Sequence, residues 1–438
     1  MSTPFPQPST ALDRARSKAF WHLLPLCFLC YVLSYVDRTN ISIAKLTMKA
    51  DLPWFTNSVF GDGSGWFFPG YVVLAIPGAL IVEKWSARKL ITGSMFAWGA
   101  VACAVAFIAS PFQFYALRFL LGVAEAGFFP GMLVYLTHWF PSRDRARATA
   151  TLIIATPFSQ IVSPKISGAM LKLSFLGLKG WQWMFIYWGL PAVILGFLVL
   201  FLLPDRPRDA RWLTAEEREA LEGELDRDTL VRSGKGKIGV LEALGHPKVL
   251  LLAFAYFLAV SANYGLEFFL PTILKDWYKL PLDTITSILM LPPAAALLGQ
   301  LYAGWHSDRS KERRLHTVVP LLLGAAMLLL ASRSQGSLVL TGVCFVFAAA
   351  GIKSYQPSFW ALPPLLLSEA AAAGSIGFIN AIGNLGGAFG SSMMGRVKAA
   401  TGSFTGGLTV LAVAMVLSAV VIFALGLGKT AQPVAETG

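Results

Sequence analysis

Charge is scarce in this chain. Only 14% of its 438 residues are Asp, Glu, Lys or Arg, against 55% that are hydrophobic. A soluble chain of this length would hold two or more domains with charged surfaces, and this composition excludes that class. Cysteine is scarcer still, at four. Cys27, Cys30, Cys103 and Cys344 all lie in apolar stretches, which argues against a disulfide scaffold. Cys27 and Cys30 form a C-x-x-C without the βαβ context of a redox motif, and read as buried free thiols. The five histidines stand at the ends of apolar stretches or in loops, without metal-ligand spacing. No Walker motif is present, so ATP-driven transport has no support. No nucleophile constellation lies in the spans, which argues against a membrane enzyme.

What is abundant is apolar length. Mean hydropathy is +0.61, and about twelve stretches have the ~20 residues that cross a bilayer as a helix. Their approximate limits are 22–46, 64–84, 89–109, 111–139, 146–172, 182–203, 248–274, 284–305, 316–332, 337–363, 372–397 and 404–427. The polar, basic first 20 residues lack a small-residue cleavage site after them, so the first stretch reads as an uncleaved helix. The net charge of +12 raises the question of nucleic acid, but its distribution answers otherwise. Arg14, Arg16 and Lys18 precede the first stretch, Arg143, Arg145 and Arg147 follow the fourth, and Arg309, Lys311, Arg313 and Arg314 follow the eighth. The alternate loops are poorer, with Lys45 and Lys49 in the first of them. This bias predicts a multi-pass protein of the plasma membrane, bacterial inner membrane by preference, with both termini cytoplasmic and basic loops facing anionic lipid. No basic–aromatic patch suits nucleic acid.

The pattern predicts an all-α fold of twelve transmembrane helices in two pseudo-symmetric six-helix bundles. The divisions are a tail over 1–21, a first bundle over 22–203, a linker over 204–247, a second bundle over 248–427 and a tail over 428–438. Within the linker, Thr214 and Glu217 form a capping-box pattern, and Leu221 and Leu225 share a face, which predicts a short amphipathic helix. A weak repeat relates the halves. Glu83, Lys84 and Arg88 follow the second stretch as Asp308, Arg309 and Arg313 follow the eighth. In each half this motif is expected to lock the second helix to the third.

Six charged residues interrupt the apolar stretches: Asp37, Arg38, Arg118, Glu125, Glu267 and Lys353. They fall on the first, fourth, seventh and tenth. Each would cost roughly 2.5–3.5 kcal/mol at a bilayer centre, on the order of 15–20 kcal/mol gross for six left unpaired. Such residues persist where they face one another or a water-filled cavity, and every third helix is the spacing of three-helix repeats.

Here the chain resembles the major facilitator superfamily and, within it, the anion:cation symporter family of phthalate, tartrate, hexuronate and galactonate permeases. Tyr35-Val-Asp37-Arg38-Thr-Asn40-Ile41 looks like that family's first-helix motif. Arg118-Phe-Leu-Leu-Gly122-Val-Ala-Glu125-Ala-Gly127-Phe-Phe-Pro130-Gly131, continued by Tyr135, Trp139 and Pro141, is similar to its fourth-helix signature. Tyr264-Gly265-Leu-Glu267, Phe359-Trp360-Ala-Leu-Pro363 and Ile379-Asn380-Ala-Ile-Gly383-Asn384 match second-half motifs. The resemblance covers roughly residues 20–427. It implies that Arg38 and Arg118 hold a substrate carboxylate and that Asp37 and Glu125 couple protons. Four positions depart from the family's pattern: Lys165, Trp188, Glu267 and Lys353.

The residues themselves support that chemistry. Arg118 and Glu125 are seven apart, two helical turns, and so share a face. An Arg fork grips a carboxylate bidentately. Burial favours the neutral form of Glu125 and a nearby Arg the charged form, so an anion competing for that Arg would link binding to protonation. Glu267 and Lys353 are a candidate charge pair facing one cavity, whether as a salt bridge or as substrate selectors. Tyr35, Gln160, Tyr264, Tyr355, Gln356, Trp360, Asn380 and Asn384 are the polar or amphipathic candidates for orienting a ligand. Gly383, Gly386, Gly387 and Gly390 permit close helix contact.

The expected function is proton-coupled symport of an organic carboxylate into the cytoplasm by alternating access. A dicarboxylate or aromatic acid is favoured, with no cofactor but protons and a single chain sufficing. Two protons per monoanion would make uptake electrogenic; the number stays open. An exchanger or efflux carrier of the same fold is the alternative. A non-transporting sensor would need a soluble output domain that is absent.

Overall fold

The computed structural model describes residues 10–84, 86–233, 246–365 and 369–428, with 75–84, 229–233 and 369–374 by backbone alone. Among them the chain is helical, with one isolated bridge between Phe175 and Leu178. Twelve spans follow in order. The first is Ala11–Asp51, bent at Asn40 into Ala11–Thr39 and Ile41–Asp51; the second is Asn57–Lys84 and the third Ala87–Val105. The fourth divides into Pro111–Glu125 and Phe128–Thr137, and the fifth into Ser142–Ile153 and Ala155–Met170. The sixth is Gly180–Leu202, the seventh Pro247–Tyr278, and the eighth divides into Leu282–Ile288 and Leu291–Ser310. The ninth is Arg314–Arg333, the tenth divides into Leu338–Ser354 and Gln356–Trp360, the eleventh is Glu369–Thr401 and the twelfth Thr405–Leu425. Eight of these are long and apolar enough by length and composition to cross a membrane. The second, third, fifth and eleventh are the other four.

The breaks have a functional consequence. Glu125 ends one helical segment of the fourth span, Arg38 and Asp37 lie within a turn of the bend at Asn40, and Lys353 lies two residues before the break at Tyr355. Interrupted helices in a membrane persist where they line protein or a cavity, because the freed backbone groups need partners. Arg118 supplies one such partner, donating to the Arg38 carbonyl at 3.1 Å.

Spans one to six pack together, as do seven to twelve, and the second meets the eleventh across the two groups. Glycine makes that crossing possible: a Cβ on Gly61 would stand 2.5 Å from the Ser391 carbonyl oxygen. Gly390 lets the eleventh span approach the seventh, where a Cβ would lie 2.0 Å from the Ser261 carbonyl oxygen. Apart from the central contacts described below, the polar ties between the groups lie at the end away from the chain termini. Lys275 donates to the Leu46 carbonyl, Arg396 pairs with Asp62 at 3.1 Å, and Lys172 pairs with Asp283 at 2.6 Å. Lys165 donates to Ser287 at 2.7 Å in the same layer, remote from the central charges. Lys45 lies in a helix, not a loop. It is buried with its ammonium between the Phe60 and Phe269 rings, at 4.0 and 4.2 Å from their centroids. At the terminus-bearing end, Arg16 pairs with Asp144 within the first group, Arg313 with Asp308 within the second, and Lys18 and Arg145 tie the linker to the first.

Arg88 makes a tie beyond the expected loop lock. It pairs with Asp205 at 3.4 Å, and Asp205 also accepts from Ser86 and the Arg88 amide, so this motif joins the third span to the end of the sixth. The acidic group it meets among the described residues comes from Pro204-Asp205. The side chains of Glu83 and Lys84 lie outside the described residues. In the second half Arg313 pairs with Asp308 at 2.6 Å, linking the eighth span to the ninth, and Arg309 lies over the Trp305 ring.

The linker helix, Ala215–Ser233, docks on the first six spans. Thr214 and Glu217 cap it reciprocally, at 3.0 and 3.2 Å. Trp212 lies between the rings of Trp139 and His22. Lys18 donates to Glu217 at 2.7 Å. That hydrogen bond, with the Thr214 amide, holds the Glu217 carboxyl down at about 2 from its usual 4.5. A depressed carboxyl stabilises the folded arrangement above its unfolded value and loses that contribution as pH falls through the folded one. Linker docking should therefore loosen as pH falls from about 4.5 to about 2. Glu217→Gln should loosen it at neutral pH, read as faster proteolysis of the linker; resistance unchanged in both would refute the lock.

Candidate functional site

The central charges form two neighbouring groups. In the first, Arg38 donates from one guanidinium nitrogen to Glu125 Oε2 at 3.0 Å and from the other to the Tyr264 hydroxyl at 3.4 Å. Glu125 is 1% exposed and also accepts from Ser34 at 3.4 Å. Its Oε1 has no hydrogen-bond partner among the described residues, and neither does Asp37 Oδ2. Asp37 is buried, its other oxygen accepting from Asn40 at 3.4 Å.

Arg118 is buried beside this pair without bonding to Glu125, although the two share a helix face. The helix ends at Glu125, and the carboxylate turns to Arg38. Two guanidiniums can approach here because Phe67 lies between them, its ring centroid 4.6 Å from Arg38 and 5.5 Å from Arg118. The negative ring face eases the like-charge contact.

The second group lines a cavity of about 100 Å³, room for several water-sized groups. Its walls come from the first, fifth, seventh, eighth and tenth spans, and so from both halves. Glu267 projects into it and accepts from Gln160 at 2.6 Å, Tyr35 at 3.3 Å and Asn263 at 3.4 Å. Lys353 lines the same cavity. No ion pair joins it to Glu267 among the described residues; the carboxylate is taken up by neutral donors. Tyr35 touches both groups, its hydroxyl on Glu267 and its ring 5.8 Å from the Arg38 guanidinium, while Tyr264 bonds Arg38.

Other candidates stand apart from this cavity. Trp360 packs edge-on against Tyr256, at 4.9 Å between centroids. Asn384 donates to the Asn380 carbonyl at 2.8 Å and to its side-chain oxygen at 3.2 Å, one turn back on the same helix. Tyr355 is buried against Phe359, and Gln356 accepts from Gln300 at 3.3 Å. Trp188 donates to Ser167 at 3.0 Å, tying the sixth span to the fifth. Ser34 and Asn263 are the residues that sequence reasoning missed. Each lies one helical turn before a charged candidate, Arg38 or Glu267, a spacing that would have flagged them.

The sequence pattern of the Major Facilitator Superfamily matches residues 27–391. The chain belongs to that superfamily. It is therefore a multi-pass membrane transporter of twelve helices in two six-helix halves, and not an enzyme. Over 425 residues it is 41% identical to a protein of Agrobacterium vitis named as a candidate tartrate transporter, covering 97% of this chain and 93% of the relative. It is 34% identical over 402 residues to a quinolone resistance transporter of Acinetobacter baumannii, covering 92% of each. The inward open structure of the xylose transporter XylE from E. coli superposes with a TM-score of 0.73 at 15% identity, covering 92% of this chain and 96% of that one. That last likeness concerns the fold alone.

Proposed function

We propose that this transporter moves an organic carboxylate together with protons, importing it across a bacterial inner membrane by alternating access. The observation that carries the reading is the Arg38–Glu125 pair, 3.0 Å apart in one half, next to Tyr35, which bonds Glu267 on the wall of a cavity shared by both. An incoming carboxylate competes for Arg38. Glu125 then loses its counter-ion in a site that penalises isolated charge, and takes a proton on an oxygen that has no other partner. Substrate and proton therefore favour each other's binding. The relative named for tartrate supports a carboxylate substrate. The ties at the end away from the termini support a state closed there, and alternating access needs their release.

Charge balance bears on stoichiometry. Arg38, Arg118 and Lys353 offset Asp37, Glu125 and Glu267 when all six are ionised. Each negative charge brought in by substrate restores the balance by drawing one proton, since an uncompensated buried charge is costly. A dianion entering with two protons moves no net charge.

The test is uptake in proteoliposomes under an imposed inward proton gradient, with labelled tartrate, phthalate, a hydroxybenzoate and a sugar acid. Accumulation of at least one acid, abolished by a protonophore, is expected, with little current for a dianion. Accumulation that ignores the proton gradient would overturn the coupling. The resistance-named relative favours a second reading, outward transport through the same cavity. Counterflow without gradient-driven uptake would select it.

A further inference from the structure

Glu267 is an odd group to find in a cavity that receives anions. It is held by three neutral donors, two from the first half (Tyr35 and Gln160) and one from the second (Asn263), and by no cation at ion-pair distance among the described residues. Such a carboxylate repels the carboxylate of a ligand and attracts a donor. Across the same space Lys353 makes no hydrogen bond or ion pair among the described residues, and presents an ammonium to whatever enters. Arg38 stands outside the cavity wall, 5.8 Å from the ring of Tyr35, whose hydroxyl bonds Glu267. From Arg38 past Glu267 to Lys353 the site therefore reads cation, anion, cation.

Resting on the carboxylate reading above, we propose that Glu267 and Lys353 are the specificity-determining pair of this site. Glu267 requires a donor such as a hydroxyl on the ligand, and Lys353 receives a second carboxylate. The ligand class is a dicarboxylate with such a donor between its carboxylates, its first carboxylate on Arg38. An ammonium in place of the hydroxyl would also satisfy Glu267, so what the pair excludes is a dicarboxylate with no donor between its carboxylates. A dicarboxylate with neither group leaves Glu267 opposite like charge and without a new donor, and like-charge juxtaposition is strongly unfavourable in a desolvated site. A site built around a ligand hydroxyl discriminates against the analogue lacking it far more than an apolar pocket does.

Four-carbon dicarboxylates differing at C2 test this directly: malate, succinate and aspartate, with lactate as the hydroxylated monoacid. Binding to the purified full-length protein would be measured by calorimetry without any gradient, beside thermal unfolding of each variant. Wild type should bind malate, and aspartate with its ammonium on Glu267, about tenfold or more tighter than succinate. Glu267→Gln should bring malate and succinate within about threefold, mainly by improving succinate. Lys353→Met should weaken malate about tenfold or more while leaving lactate unchanged.

Equal malate and succinate affinity in wild type, or ratios unmoved by both substitutions in folded protein, would overturn the pair's role and leave the carboxylate reading standing. No binding of any acid by wild type would remove both. A structural salt bridge would appear instead as loss of thermal stability in each single variant, restored in the double, with ligand ratios unchanged.

Discussion

Glu125→Gln is expected to leave a carrier that exchanges its substrate but no longer accumulates it. The amide is nearly isosteric and still accepts from Arg38 and Ser34, which hold Glu125 Oε2 at 3.0 and 3.4 Å. What it lacks is a site for a transportable proton. In the wild type that site is prepared, since Glu125 is 1% exposed and its Oε1 has no hydrogen-bond partner among the described residues. Each coupled proton is worth about a tenfold accumulation per unit of imposed pH gradient. Proteoliposomes holding the variant should lose that factor and only equilibrate labelled substrate, while exchange across equal pH stays within several-fold of wild type. Undiminished accumulation would move the proton to another group. Asp37 is the next one, because it is buried with Oδ2 lacking a partner and has only Asn40 on its other oxygen.

Substitution of Arg38 carries the second large effect. Its guanidinium bonds Glu125 and Tyr264 at once, with Phe67 and Tyr71 rings at 4.6 and 5.2 Å. Arg38→Met leaves Glu125 buried without its counter-ion, and breaking a buried pair costs about 3–5 kcal/mol. Uptake should fall by about a hundredfold or more, with a marked drop in thermal stability. Combining Arg38→Met with Glu125→Gln should recover much of the stability, because no unpaired charge remains, but none of the uptake. Recovery of both would reduce Arg38 to a structural partner. Arg38→Lys keeps the charge but not the planar fork, and should raise KM about tenfold with folding intact.

The split between these effects follows from which partners the fold supplies. Arg118 and Glu125 are two turns apart on one helix, yet the helix ends at Glu125 and the carboxylate bonds Arg38, 87 positions away in sequence. Arg118 instead satisfies the Arg38 carbonyl freed near the bend at Asn40. Arg88 likewise meets Asp205, just past the end of a span and 117 positions on. Trp360, Asn380 and Asn384 carry motif resemblance, but pack on Tyr256 or on each other outside the cavity that holds Glu267.

The sequence by itself determined the membrane class, the order of the helices and the list of charges that need partners. Those depend on composition and local pattern: a run of about twenty apolar residues has one low-energy form in lipid, and a charge inside such a run is conspicuous wherever it points. It also carried the helix start at Thr214 and Glu217, whose capping needs only residues three apart. The tertiary structure alone decided which cation meets which carboxylate, that Glu267 is held by neutral donors from both halves, and that Lys353 faces the cavity without an ion pair. Those are contacts between residues far apart in the chain. They depend on where helices break and how closely glycines such as Gly61 and Gly390 let backbones approach, and local pattern does not encode either distance.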